Sequence, residues 1–158
     1  MMAQIREYKP KDKEACLTAF KSNVPLFFTK EEIADFIRFL DTLQSRSEDS
    51  KTYFYVVVLE NEILGCGGFG DKDNTGVISL AWGLIHSDFH KKRFGDLLLK
   101  YRLAQIDKIF PSGRILVDTT QFSVGFYEKS GFKITSITND YYSEGMHRYD
   151  LEYNKTDK

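Results

Sequence analysis

HSDFHKKRFGDLLL, His86–Leu99, joins an apolar run, Val77–Ile85 (VISLAWGLI), to an amphipathic one. The first run reads as a strand. From Gly95 to Phe110 the residues Leu99, Leu103, Ile106 and Phe110 fall on one helical stripe, and Pro111-Ser-Gly stops it. Backbone N–H groups in a first helical turn have no intrahelical partner, and the helix dipole adds positive charge there. His90, Lys91, Lys92 and Arg93 stand beside that terminus, and Gly95 lets the backbone come close to a ligand. The arrangement predicts an anion seat, best filled by a phosphate ester.

Working outward, Gln4–Tyr8 alternates as an opening strand, and Pro10 leads into a short helix over Lys11–Phe20. Thr29-Lys-Glu-Glu32 fits a capping box, with Phe28 and Ile33 placed as a hydrophobic staple. Ile33, Phe36, Ile37, Leu40 and Leu43 then recur at helical spacing, up to a polar surface loop over Ser45–Lys51. Tyr53–Leu59 and Ile63–Phe69 read as paired strands around Glu60–Asn61, with a turn over Asp71–Gly76. After the long helix come a strand at Arg114–Asp118 and a short helix at Phe122–Lys129. Strands at Lys133–Thr138 and Met146–Tyr153 follow, joined by a polar, tyrosine-rich connection. The order describes a mixed sheet with helices on its faces.

The 158 residues suit one compact domain, 1–158, able to bury a sizeable core. Hydrophobic residues at 42% and aromatics at 15% exclude a disordered or low-complexity chain. A formal net charge of −1 argues against general nucleic-acid binding, so the basic cluster serves one small anion. Two cysteines cannot build a disulfide framework, and the charged N-terminus lacks an apolar signal core. The longest apolar run, Tyr53–Leu59, is far too short to span a bilayer. A cytoplasmic protein with neither membrane nor nucleic-acid partner is expected.

Several motifs have plain explanations. GCGGFG (Gly65–Gly70) matches Gly-x-Gly-x-x-Gly, but a turn and a strand follow where a dinucleotide fold needs a helix. These glycines are better suited to a strand that twists, bulges or lies close to a ligand. His86 and His90 have neither a helix nor further ligands nearby in sequence, so no metal is expected. Cys66 lies in an apolar strand without a basic neighbour, and Cys16 on a short helix; both read as small buried hydrophobes. Trp82 and Tyr53 read as core, whereas Phe27 and Phe28 suit either a staple or an apolar lip over a cleft.

The second informative segment is DTTQFSVGFYEKSGF, Asp118–Phe132, a strand end, a polar loop and a short helix carrying Tyr127. Together the two segments resemble the GNAT superfamily of N-acetyltransferases, and the element order extends the likeness over nearly the whole chain. The family's pyrophosphate loop, Arg/Gln-x-x-Gly-x-Gly/Ala, falls on His90-Lys91-Lys92-Arg93-Phe94-Gly95. Only the final glycine matches; His90 replaces Arg or Gln, and Arg93 the first glycine. The family's Asn-x-x-Ala-x-x-Phe/Leu-Tyr-Glu-Lys-x-Gly-Phe ends here as Phe126-Tyr-Glu-Lys-Ser-Gly-Phe132, with Thr120 at the Asn position and Ser123 at the Ala position.

The resemblance implies a mixed α/β fold whose mostly antiparallel sheet has about six to seven strands, with about four helices on its faces. It implies transfer of the acetyl group of acetyl-CoA, as cosubstrate, to a primary amine of a small molecule or peptide. The pantetheine arm would run past Leu84 and Ile85 at the splayed end of their strand. Diphosphate would sit on the amides of Lys91, Lys92, Arg93, Phe94, Gly95 and Asp96, with His90 beside them, and Thr120 would bond the pantetheine or the loop backbone. Tyr127 would be the general acid to the departing thiolate; phenols lie only about 1.5 units above thiols, so the transfer is mildly uphill. The base is unspecified, with a water relay from Asp or Glu, His86 and His147 as candidates. Phe27, Phe28, Glu31, Tyr141, Tyr142 and His147 would surround the acceptor amine. Transfer of a longer acyl chain or to a hydroxyl is a rival within catalysis; a non-catalytic CoA-binding regulatory or interaction module is a rival outside it. A C-terminal sheet edge offers a surface for a homodimer.

Overall fold

The computed structural model describes residues 2–44, 51–71 and 73–155. The loop expected over Ser45–Lys51 lies outside them except for Lys51, as does Lys72 of the turn before the third apolar strand. The chain forms β1 (Gln4–Glu7), a single 3-10 turn, α1 (Lys13–Lys21), α2 (Glu32–Gln44), β2 (Thr52–Leu59), β3 (Glu62–Gly70) and β4 (Val77–Ile85). A second 3-10 turn leads to α3 (Phe94–Ile109), β5 (Arg114–Thr119), α4 (Val124–Lys129), β6 (Phe132–Ser143) and β7 (Met146–Tyr153). The seven strands make one sheet in the order β1-β2-β3-β4-β5-β7-β6, antiparallel throughout except at β4–β5. This is the mixed architecture the sequence predicts, and it differs in one connection. The stretch read as a polar link after Thr138 continues β6 to Ser143, because it pairs back onto β7 through a bulge and a turn at Gly145. Asp140 takes φ +55° in that irregular stretch and masks the strand's alternation.

Alternate residues of each strand face opposite sides of a sheet, and the two faces carry separate cores. Phe54, Val56, Cys66 and Leu84 pack with Cys16, Leu17, Phe20, Phe36 and Leu40 of α1 and α2. Tyr55, Phe69, Ile78, Leu80, Ile115 and Val117 pack with Leu99, Ile106 and Tyr127 of α3 and α4. Ile78 and Leu80 keep strict alternation, but Trp82 turns to the opposite face with Leu84. The cause is a bulge. Gly68 pairs with Ala81 and Cys66 with Leu84, so Gly67 opposes both Trp82 and Gly83, and Trp82 adopts φ +49°. The start of α2 is closed as the sequence predicts. The Thr29 N–H donates to Glu32 Oε1 (2.9 Å), and the Glu32 N–H donates to Thr29 Oγ1 (3.3 Å). Among the described residues no helix is long and apolar enough to cross a membrane.

Candidate active site

Strands β4 and β5 pair only from Val77 to Ser79, against Arg114 to Leu116. Beyond that seam β4 bulges at Trp82 while β5 runs into the polar loop before α4. The strands part around a cleft of about 1180 Å³, walled by the start of α2 and by residues of α3 and α4.

At one end lies the basic turn. Lys91 and Arg93 both take left-handed backbone, φ +63° and +69°. Among the described residues no protein acceptor engages the amides of Lys91 to Asp96, and the first bond of α3 runs from the Leu97 N–H to the Arg93 carbonyl (3.1 Å). Lys91, Arg93, Phe94, Gly95 and Asp96 line the cleft. Lys92 does not; its Nζ lies 5.6 Å from the centre of the Phe89 ring. His90 lines the cleft but is folded onto β4, with Nε2 2.8 Å from the Ile85 carbonyl and its ring edge-on to Phe27. Leu84 and Ile85 form the adjoining wall, and the Ile85 carbonyl also accepts from Asn23 Nδ2 (2.9 Å).

On the opposite wall Thr120 is buried and shapes the turn into α4. Its Oγ1 accepts from the Phe122 N–H (3.2 Å), and its carbonyl accepts from the Ser123 and Val124 N–H groups. Tyr127 follows on the inner side of α4, buried and lining the cleft, with its ring edge-on to Phe126 and Phe132. Among the described residues its hydroxyl has no hydrogen-bond partner.

Phe28, Tyr141 and Tyr142 line the end of the cleft away from the basic turn, and Phe27, against His90, stands between the two. Glu31 is exposed and outside the cleft, because the capping box turns the neighbouring Glu32 inward instead. His147 also lies outside. Its Nδ1 accepts from the Asp140 N–H (3.0 Å), so the imidazole ties the β6–β7 hairpin. Glu32, Asp118 and Arg148 form the polar part of this end. Burial pushes the Glu32 carboxyl above its usual range, against the opposing pull of its bonds from Thr29. Tyr142 donates to Asp118 Oδ1 (2.5 Å), and burial followed by that bond raises its phenol strongly. Burial disfavours the Arg148 charge, but Asp150 and Asp118 outweigh it and raise its pKa.

The glycine pattern Gly65–Gly70 marks close approaches of backbone. A Cβ at Gly65 would lie 2.3 Å from the Leu84 carbonyl oxygen, and one at Gly68 would lie 2.0 Å from that of Tyr53. Cys16 and Cys66 are free and buried, and burial drives the Cys66 thiol well up, which suits a packed thiol and not a nucleophile. His86 Nδ1 accepts from the Asp88 N–H (3.1 Å), and among the described residues no group of His, Cys, Asp and Glu is placed to hold a metal ion.

Several lining residues escape a reading of the sequence, Asn23 and Arg148 among them. Glu32 shows there only as half of a capping box, and Asp118 as a strand end. Arg102 carries a usable signal, since it stands four residues from both Leu98 and Ile106 on the buried stripe of α3.

The chain matches the acetyltransferase (GNAT) domain family over residues 26–154. A search of curated proteins finds no match. Among solved structures it is similar to a GNAT-family protein from Desulfovibrio desulfuricans (TM-score 0.81, 18% identity, 97% of this chain and 99% of that one). It is similar to the ribosomal-protein-S18-alanine N-acetyltransferase from Escherichia coli (0.75, 12%, 96% and 93%). The PaiA N-acetyltransferase from Thermoplasma acidophilum, in complex with coenzyme A, is a third (0.72, 17%, 98% and 99%). At these identities the likenesses establish the fold.

Proposed function

The chain belongs to the GNAT acetyltransferase family, and on that premise we propose that its cleft takes acetyl-CoA as donor and acetylates a primary amine of a small molecule or peptide. One observation carries the reading. The parting of β4 from β5 puts the unengaged amides of Lys91 to Asp96, the edge of β4 that β5 leaves free beyond Ser79 and the Tyr127 side chain around a single cleft. Diphosphate fits the turn, where oriented N–H groups and the cations of Lys91 and Arg93 meet it. The pantetheine arm then follows β4 inward past Leu84. The coenzyme A held by the relative from Thermoplasma supports this choice of donor.

In the transfer the amine nitrogen's lone pair forms the C–N bond at the thioester carbon, and the carbonyl π pair moves to oxygen. Collapse of that adduct breaks the C–S bond. The leaving thiolate takes the proton of Tyr127, and the amine sheds its own proton to a nearby carboxylate or to water. The phenolate regains a proton from solvent before the next turnover. Fixed orientation of amine against thioester supplies most of the acceleration. Glu32 and Asp118, set among Phe27, Phe28, Trp82 and Tyr142, suit an amine on an apolar body that arrives as the ammonium and gives its extra proton to water before it attacks. Two free buried thiols support a reducing, cytoplasmic setting.

The test is thiol release from acetyl-CoA across a panel of amines, with the native protein and Tyr127→Phe. Native turnover on at least one amine, and a kcat about 10²-fold lower in the variant, is the expected outcome. Tight donor binding with no release on any amine would leave a CoA-binding module in its place.

A further inference from the structure

Arg102 lines the cleft, has no role in the proposed chemistry, and carries a buried donor without a partner among the described residues. It stands on the buried stripe of α3 with Leu98, Leu99 and Ile106, and is 2% exposed. Its Nη1 donates to the Gly68 carbonyl (3.2 Å), its Nε has no partner, and no carboxylate among the described residues pairs with it. A guanidinium keeps its charge in a protein interior. Unpaired burial of a charge is costly, whereas an apolar side chain at this helical position would simply extend the stripe.

The sheet is built to admit it. A Cβ on Gly83 would lie 2.5 Å from Arg102 Nη2, and one on Gly67 would lie 3.3 Å from its Cζ. These are the residues of the β3–β4 bulge, so two absent side chains and a break in register make room for one cation that lines the cleft. Gly83 immediately precedes the Leu84–Ile85 wall. A donor anchored on Lys91 to Asp96 and running inward along β4 brings its thioester to this stretch.

Resting on the acyl-transfer reading above, we infer that Arg102 is the anion-binding residue of the acyl subsite. Its guanidinium receives negative charge at the thioester end of the donor. That charge has two sources with one chemistry: the oxygen that becomes an oxyanion when the amine adds, or a carboxylate carried by the acyl chain.

Two stable thioethers test the subsite without turnover. S-carboxymethyl-CoA puts a carboxylate at the acyl position, and S-carbamoylmethyl-CoA is its neutral isostere. Calorimetry on the native protein should find the carboxylate form at least about tenfold tighter, since a charge-assisted bond to arginine replaces a neutral one. R102M should abolish that ratio and R102K should retain part of it, while affinity for CoA itself changes less than about threefold. Equal or weaker binding of the carboxylate form by the native protein overturns the inference without needing any variant to fold. Failure of both compounds to bind sinks the donor reading as well, and so separates the two failures. Steady-state transfer then identifies the source. A preference for succinyl-CoA over butyryl-CoA that R102M erases marks an acyl carboxylate. A drop in kcat with acetyl-CoA at unchanged KM in R102M marks the developing oxyanion.

Discussion

Arg93 occupies a backbone position that the family loop ordinarily gives to glycine. It holds φ +69°, and Lys91 two residues earlier holds +63°. A left-handed conformation costs a side-chain-bearing residue about 1–2 kcal/mol. Arg93→Gly removes that strain but frees the unfolded chain by about 0.5–1 kcal/mol. The two effects largely cancel, so the melting temperature should stay within a few degrees of native. Binding should not stay put. Without the guanidinium beside the phosphate end, acetyl-CoA affinity should weaken by about tenfold, read by calorimetry. An unchanged Kd would show that Arg93 supplies shape alone. The sequence marks this residue as a departure from the family pattern, and the structure shows how the departure is accommodated. Arg102 is less legible, because stripe-reading counts apolar residues and passes over a cation among them.

At the scale of elements, one local device holds a wall of the cleft and a second ties the sheet's first strand to the first helix. The capping box at Thr29 fixes the start of α2 and the direction of Glu32. Thr29→Ala should cost about 1 kcal/mol, or about 2–4 °C in melting temperature. It should also raise KM for the amine more than for acetyl-CoA. The second device ties β1 to the turn before α1. Buried Asp12 takes two bonds from the Arg6 guanidinium (2.8 and 3.0 Å) and one from the Lys9 N–H (2.8 Å). Burial raises the Asp12 carboxyl, but these donors outweigh it and hold its pKa below the usual carboxylate range. Its stabilisation is therefore complete above the unfolded-state pKa near 4 and disappears as pH falls through the lower folded-state value. Asp12→Asn should lower stability at pH 7 by about 2 kcal/mol, reduced from the fully buried case because Arg6 is 38% exposed. Denaturant titrations of the two proteins should converge as acid protonates the Asp12 carboxyl in the folded state. Helices and strands of this kind were readable because periodicity is local. The bulge at Trp82 was not, since VISLAWGLI is uniformly apolar and the flip depends on pairing with Gly67. Neither was the far half of β6, which pairs irregularly with β7 and closes at Ser143 opposite Met146.

At the scale of the whole molecule, the element order and the faces of the sheet follow from the sequence, while the cleft comes from strands that part company. An acetyl-CoA concentration 100 times its Kd should add about 2.7 kcal/mol to stability. Where that gain is felt follows from the three-pair seam between β4 and β5. It is the sheet's one hydrogen-bonded link between β1–β4 and β5–β7–β6. Amide exchange in Arg114–Leu116 should slow on loading with acetyl-CoA more than exchange in β2 or β3, and uniform slowing would contradict this. On the proposed reading, a donor lodged beyond Ser79 would lie where the missing rungs would be, a removable strut between two half-molecules. The amine should then bind only after acetyl-CoA, and initial-rate kinetics in which the amine binds first would overturn this.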